Sequence, residues 1–416
     1  MTKGEITLLS WVKEKMLQVN LVEDLHPKEG FYRLGFTDLE TKAHAHFVQI
    51  AEELGLKVYE DEIGNKMARW ETDCEDQRYV SSGSHLDTVS GGGAYDGAAG
   101  VVASLAAIKL LKDEGFKPER PLEVICFRLE EADRFGVSTI GSKAMAGLFD
   151  ENSFAHLKDA NGITLKEAVE SQGYKWEHVK NAERNTNDIY SFYELHIEQG
   201  KRLEGITDLG VVDAVTCPIR LEGTIVGEKG HSGTTLMTGR RDALGIASHI
   251  LQEVQEETLR INREEHKYPL MATVSQIKSF PNSISVIPGK VVLGIDIRSV
   301  DDHLKERLVN HLEKMSSTFD ADISVVQKVN TSSVFLDEEI RETMRKEIAK
   351  TRDTVPVLES RAGHDVMNMQ KKWPSGMLFI PCRDGISHSP REYAEIEHIV
   401  EGAKVIAAYY KLKSIV

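Results

Sequence analysis

The sequence predicts an α/β layered protein interrupted by a smaller α+β unit. Up to about residue 210, apolar runs of strand character alternate with segments of helical period, the pattern of helices layered on a sheet. Between 211 and 330 the pattern changes to alternating, half-buried strands with two amphipathic helices. The α/β style then returns in "SGMLFIPCRDGISHSP" and a closing helix, so the smaller unit reads as an insertion. Residues 1–210 and 331–416 are expected to form one discontinuous domain and residues 211–330 the other. A chain of 416 residues is long enough to need two cores.

The elements follow in order. "MTKGEITLLSWVKEKMLQVN" has charges spread through its apolar positions and no small-residue cleavage site, so it reads as an amphipathic helix rather than a signal peptide. "FTDLETKAHAHFVQIAEELGLKV" reads as a helix opened by a Thr37–Glu40 capping box and stopped at Gly55. "KVYE" is a strand, "DEIGNK" a turn and "RYVSSGSHLD" a strand. "DGAAGVVASLAAIKLLKDEGF" carries an Ala/Leu/Val face of helical period and stops at Gly115. "PLEVICFRLEE" is a nearly continuous apolar run, as in a strand buried on both faces. In the insertion, "CPIRLEGTIVGEKGH", "ATVSQIKSF" and "SISVIPGKVVLGIDIRSV" are strands, and "RRDALGIASHILQEVQEETLR" and "DDHLKERLVNHLEKMSSTF" are helices.

Composition excludes several classes. Hydrophobic content of 41% and charged content of 28% are ordinary for a globular protein. A net charge of −15 argues against nucleic acid or an acidic membrane as partner, because phosphates are repelled. No apolar run reaches the length that spans a bilayer. Cys74, Cys126, Cys217 and Cys382 form no CxxC pair, which suits a reducing cytoplasm and argues against thiolate metal ligation.

The chemistry-bearing residues begin with "GSHLDTVSGGGAYDGAAG". His85 and Asp87 lie two apart on a predicted strand and so share a face, which lets Asp87 accept the ring N–H of a metal-bound His85. The glycines bring Asp96 back to the carboxyl end of that strand, where α/β folds place ligands. An Asp N-cap beside a structural histidine accounts for the same residues, and the spacing fits neither dinucleotide nor Walker phosphate loops. Glu130 and Glu131 follow the strand "VICF"; a cation taking one carboxylate leaves the other as a general base, whereas a solvated charge pair is the bland reading. His196 in "FYELHIEQG" and His388 in "DGISHSP" complete a set of candidate ligands: His85, Asp96, Glu131, His196 and His388, with Glu130 unbound. Such a set suits two borderline metals such as zinc, sharing a bridging aspartate and serving hydrolysis.

The motifs "GSHLDTV…GGAYDG", "EEADRFG…GSKAMAG", "ELHIEQG", "GHSGTT", "PNSISVIPG", "DIRS", "AGHD" and "GISHSPRE" occur here in the order found in one family. From about residue 30 to the C-terminus the chain resembles the hydantoinase/carbamoylase branch of the M20 metallopeptidase-like amidohydrolases. The resemblance implies a zinc-peptidase-like catalytic domain with an inserted α+β lid and dimerisation domain of four strands and two helices. It also implies two divalent ions per subunit, zinc or else manganese, cobalt or nickel. His85 and His388 lie on different ions, Asp96 bridges, and His196 and Glu131 complete the two sets. Glu130 is then the general base and acid and Asp87 the orienting residue. Asn282, Arg298 and Gln199 hold the substrate's carboxylate, His231 is the lid histidine that reaches the partner subunit's site, and His364, at the "GHD" step, is counted among the substrate-binding residues. The implied protein is a cytoplasmic homodimer, joined through residues 211–330. It cleaves N-carbamoyl-L-amino acids to amino acid, carbon dioxide and ammonia, with allantoate, ureidoglycolate and N-acyl amino acids or dipeptides as alternative substrates. The chain departs from common family residues at "EEADRFG", at Leu236 and at Ala98–Ala99; none of these removes a ligand or the base.

Overall fold

The computed structural model describes residues 3–264 and 266–416. These form two compact units, one from residues up to Asp213 together with Phe335 onward, the other Ala214–Val334. The fold is α/β with an inserted α+β unit, as the sequence pattern predicts.

In the larger unit, helix α1 (Lys3–Asn20) presents the buried stripe Leu8, Val12, Met16 and Val19, a helical spacing that packs one face inward. Helix α2 (Asp38–Glu53) follows, then strands β1 (Lys57–Glu60), β2 (Lys66–Trp70) and β3 (Tyr79–His85). The turn between β1 and β2 is held by Asp61, whose Oδ1 accepts the backbone N–H groups of Ile63, Gly64 and Asn65. Helix α3 (Ala98–Asp113), β4 (Leu122–Phe127), β5 (Ile189–Ile197) and β6 (Gly210–Val215) complete the part before the insertion. After it, the strand Ser375–Ile380 and the closing helix Ile396–Lys413 return to the same layers.

The nine-stranded sheet runs β1, β2, β4, β3, β5, Ser375–Ile380, β6, Val334–Phe335, with Val357–Ser360 also paired to β6. The four central strands β4, β3, β5 and Ser375–Ile380 are mutually parallel, while β2 and β6 pair with them antiparallel. Every residue of β4 is buried. Val124 and Cys126 join the core under α1, α3 and the closing helix, and Ile125 and Phe127 alternate to the opposite face. Helix α3 can lie this close because Gly100 has no side chain: a Cβ there would sit 2.1 Å from the carbonyl oxygen of Leu195.

The smaller unit is a four-stranded antiparallel sheet in the order Asp322–Asn330, Pro218–Val226, Lys290–Arg298, Met271–Phe280. Ile219, Leu221, Ile225, Leu293 and Ile297 meet Ala247, Val254, Leu308 and Leu312 of the helices Ala243–Asn262 and Asp302–Ser316 in one core. The strand Asp322–Asn330 is largely exposed, so its weak apolar signal leaves little for a sequence reading to detect.

Three local expectations are corrected. The strand ends at His85, so Asp87 lies beyond it and not on a shared strand face. The alternative that makes Asp96 an N-cap does not hold, because the cap of α3 is Gly97 at φ +64°. The capping box at α2 forms only by half. Thr37 accepts from Glu40 N, but the Glu40 side chain turns into the core. There it accepts from Phe36 N at 2.6 Å, Leu129 N at 2.9 Å and the Arg128 guanidinium at 2.7 Å. Arg128 is itself fully buried, so this ion pair has no competing water.

Glu40→Ala should therefore cost about 3–5 kcal/mol, the scale for stranding a buried charge. Urea unfolding checks this, and adding Arg128→Met should recover most of the loss.

Candidate metal centre

Four parallel strands deliver the site. His85 is the last residue of β3, and Glu130 and Glu131 follow the end of β4. His196 is near the end of β5, and His388 lies in the loop after Ser375–Ile380. Register places His85 beside Phe127 and His196 beside Phe379, so the carboxyl ends of neighbouring strands converge.

Asp96 sits at the centre. Its Oδ1 lies 3.4 Å from His85 Nε2 and 3.1 Å from His196 Nε2. Its Oδ2 lies 3.3 Å from His388 Nε2, which is also 3.3 Å from Glu131 Oε1. Two sets thus share one carboxylate: His85, Asp96 and His196, and Asp96, Glu131 and His388, the ligand atoms of each within 4.8 Å of one another. The rings are oriented from behind. His196 Nδ1 faces the carbonyl oxygen of Ile197 at 2.9 Å, and His85 Nδ1 faces the Asp87 carbonyl at 3.1 Å and its Oδ1 at 3.3 Å. These contacts leave the Nε2 atoms directed at Asp96.

Asp87 has a second task absent from the sequence reading. Its Oδ1 accepts Glu130 N at 3.0 Å and its Oδ2 accepts Glu131 N at 2.9 Å, fixing the backbone that carries both acids. The Glu130 carboxylate stays outside both sets, 3.8 Å from His85 Nε2.

The electrostatics match this crowding. Burial pushes the Glu130 carboxyl well above its usual range, opposed by His85 and reinforced by Glu131. Burial also acts upward on Asp96, yet His196, His388 and His85 together hold it well below the carboxylate range. Hydrogen bonds to Asp96 and Glu131 push His388 up to about 11. Acids gathered this closely call for positive charge between them.

The donor set fits divalent cations: imidazole nitrogens and carboxylate oxygens, oriented from behind and sharing one carboxylate. Gln199 supports the fit. Its Nε2 donates to Asp96 Oδ2 at 2.7 Å, while its buried Oε1 has no hydrogen-bond partner. Gly97 is required by the same cradle, since a Cβ there would fall 2.5 Å from the His85 ring.

Of the remaining candidates, His364 is buried with its ring centroid 4.4 Å from that of His196, and its Nε2 faces Ser360 Oγ at 2.8 Å. His231, Asn282 and Arg298 belong to the smaller unit. There His231 Nδ1 accepts Gly233 N, its strand residue pairs with Val286, and Arg298 donates to Asp296 at 2.6 Å. Ser387 and Glu392 lie inside the motif "GISHSPRE" and Gly97 inside "GGAYDG", but sequence reasoning assigns none of the three a role in holding the site. A third grouping, Glu253, Glu257 and His311, lies in the smaller unit, where Arg260 already neutralises Glu257.

Residues 75–411 match the family described as Peptidase family M20/M25/M40. The chain is 34% identical to a ureidoglycolate hydrolase of Oryza sativa subsp. japonica, over 92% of this chain and 80% of that one. It is 32% identical to an N-carbamoyl-L-amino acid amidohydrolase of Geobacillus stearothermophilus, over 91% and 92%. Its fold matches the crystal structure of a hydantoinase/carbamoylase family amidase from Burkholderia multivorans with a TM-score of 0.84, at 30% identity and covering 99% and 98% of the two chains. The α/β fold with its inserted unit is that of a class of hydrolases. The chain belongs to peptidase family M20/M25/M40, and its relatives place it with the hydantoinase/carbamoylase amidases.

Gly97→Ala should weaken divalent-cation affinity by on the order of 10–100-fold by displacing His85. Gly115→Ala should leave it unchanged, because that glycine has a similar φ of +69° but nothing within 4 Å of a Cβ. Competition with a chromogenic chelator measures both.

Proposed function

We propose that the protein is a metal-dependent amidohydrolase that cleaves the linear C–N bond of N-carbamoyl-L-amino acids. The observation that carries this is the Asp96 carboxylate, with one oxygen toward His85 and His196 and the other toward His388, beside the uncommitted Glu130. In this reading His85, Asp96 and His196 hold one divalent ion and Asp96, Glu131 and His388 a second, zinc or else manganese, cobalt or nickel. Such ions supply Lewis acidity to a carbonyl and lower the pKa of water.

The chain's own residues do the rest. Glu130 takes a proton from the attacking water and returns it to the leaving amine, so the substrate and one water become amino acid, carbon dioxide and ammonia. Its raised affinity for a proton suits the return step. Asp87 holds Glu130 in place through the backbone N–H. Arg298, Asn282 and Gln199 hold the substrate's carboxylate, Arg298 by its planar two-toothed fork. His231 stabilises the oxyanion from the partner subunit of a homodimer joined through residues 211–330. His364 lines the substrate side. The four free cysteines accord with a cytoplasmic enzyme.

Relatives named ureidoglycolate hydrolase and allantoate amidohydrolase support a second reading, one of these ureides as substrate, with the same residues in the same roles. Ammonia and amine release from N-carbamoyl-L-methionine, its D-isomer, allantoate, ureidoglycolate and N-acetyl-L-methionine separates them. Chelator-sensitive turnover of the L-carbamoyl compound alone is expected; preference for a ureide moves the substrate and keeps the mechanism.

Glu130→Gln should lower kcat by roughly 10²–10⁴-fold with cation content intact, the range for a lost acid/base. Arg298→Ala should raise KM for the acids far more than for their amides, and an equal effect on both would remove Arg298 from carboxylate binding.

A further inference from the structure

We propose that Glu392 is the positioning residue for the second cation set, Asp96, Glu131 and His388, and that it is not a ligand. The proposal rests on the two-cation reading above.

Glu392 is 1% exposed and sits four residues after His388. Its Oε1 accepts the backbone N–H groups of Tyr95 and Asp96, both at 3.0 Å. Its Oε2 accepts Ser387 Oγ at 3.1 Å and His388 N at 3.3 Å. One side chain therefore ties together the two loops that carry Asp96 and His388, which are separated by most of the chain. Oε1 is taken up by two backbone N–H groups and Oε2 by the His388 N–H, while the single Ser387 hydroxyl proton is shared between Oε2 and Asp96 Oδ2 at 3.0 Å, so the carboxylate serves to hold backbone rather than a cation.

Two further features show that the position is built for this contact. Gly93 leaves the room: a Cβ there would fall 2.4 Å from Glu392 Cβ and Oε1. His388 needs an anchor, being 47% exposed in its side chain and held at φ +53°, a left-handed conformation disfavoured for a side-chain-bearing residue. Its backbone N–H bond to Glu392 restrains the residue in that conformation, which fixes where the ring stands. The other set is anchored differently. His85 and His196 stand at or next to the ends of buried parallel strands and take ring contacts from Asp87 and Ile197, so only their shared Asp96 touches Glu392.

The contrast predicts a selective effect. An amide at 392 can keep its oxygen on Tyr95 N and Asp96 N, but its NH2 group meets the His388 N–H donor to donor. The His388 loop loses its anchor while Asp96 keeps its own.

The test is stepwise Mn²⁺ titration of the full-length, cation-stripped protein by calorimetry, with ion content counted by elemental analysis. Wild type, Glu392→Gln, Glu392→Asp, His388→Ala and the double variant E392Q/H388A are compared. Melting of the cation-free proteins identifies which of the Gln and Asp variants is folded. Wild type is expected to take two ions. The folded Glu392 variant should keep one at wild-type affinity and bind the other on the order of 10–100-fold more weakly. Adding E392Q to H388A should weaken the second ion no further. Two ions on wild type with both affinities unchanged in the variant, or with both lowered equally, overturns the positioning role alone. Fewer than two ions on wild type overturns the two-cation reading and this proposal with it.

Discussion

The Asp96 carboxylate is the constraint on which the rest of the larger unit depends. A buried acid survives only where charge or donors meet it, and here each oxygen is met from a different side. That requirement explains why the loop after β3 must turn sharply, why α3 begins at a glycine at φ +64°, and why Ala98 and Ala99 beside it are small and fully buried. It also explains the parallel arrangement of four central strands. Only strands running in the same direction bring His85, Glu130–Glu131, His196 and the His388 loop to one end of the sheet.

Around that carboxylate lies a second layer that does no chemistry of its own. Asp87 holds the backbone of both glutamates, Arg128 and Glu40 fix the stretch immediately before them, and Glu392 joins the two loops on the other side. Each of these buried acids has donors on both oxygens, mostly backbone N–H groups. Those bonds offset the burial of the charge and tie down the loops. In the proposed enzyme that restraint keeps Glu130 free of the cation sets and close to both.

The candidate ligands were legible as candidates because they sit in short motifs whose spacing has a local meaning: a His and Asp near a strand end, adjacent acids after an apolar run, a His in a Gly/Ser/Pro loop. The alternation and periodicity that mark strands and helices located most elements for the same reason. The role of Glu392 was not legible: the residue closes the motif "GISHSPRE", but its partners Tyr95 and Asp96 lie 297 and 296 positions away. Glu40 misled in the opposite sense. Its spacing from Thr37 satisfied the capping pattern, but the buried guanidinium of Arg128 is a stronger partner than a backbone N–H at a helix end. The smaller unit's edge strand Asp322–Asn330 carried little apolar contrast because most of it faces solvent.

The most direct test of the account is anomalous diffraction from crystals grown with Mn²⁺ or Zn²⁺, collected on both sides of the metal absorption edge. Two peaks flanking Asp96 are predicted, one among His85 and His196 and one among Glu131 and His388, with Glu130 bound to neither. A single peak, a peak ligated by Glu130, or none at Asp96 would contradict it.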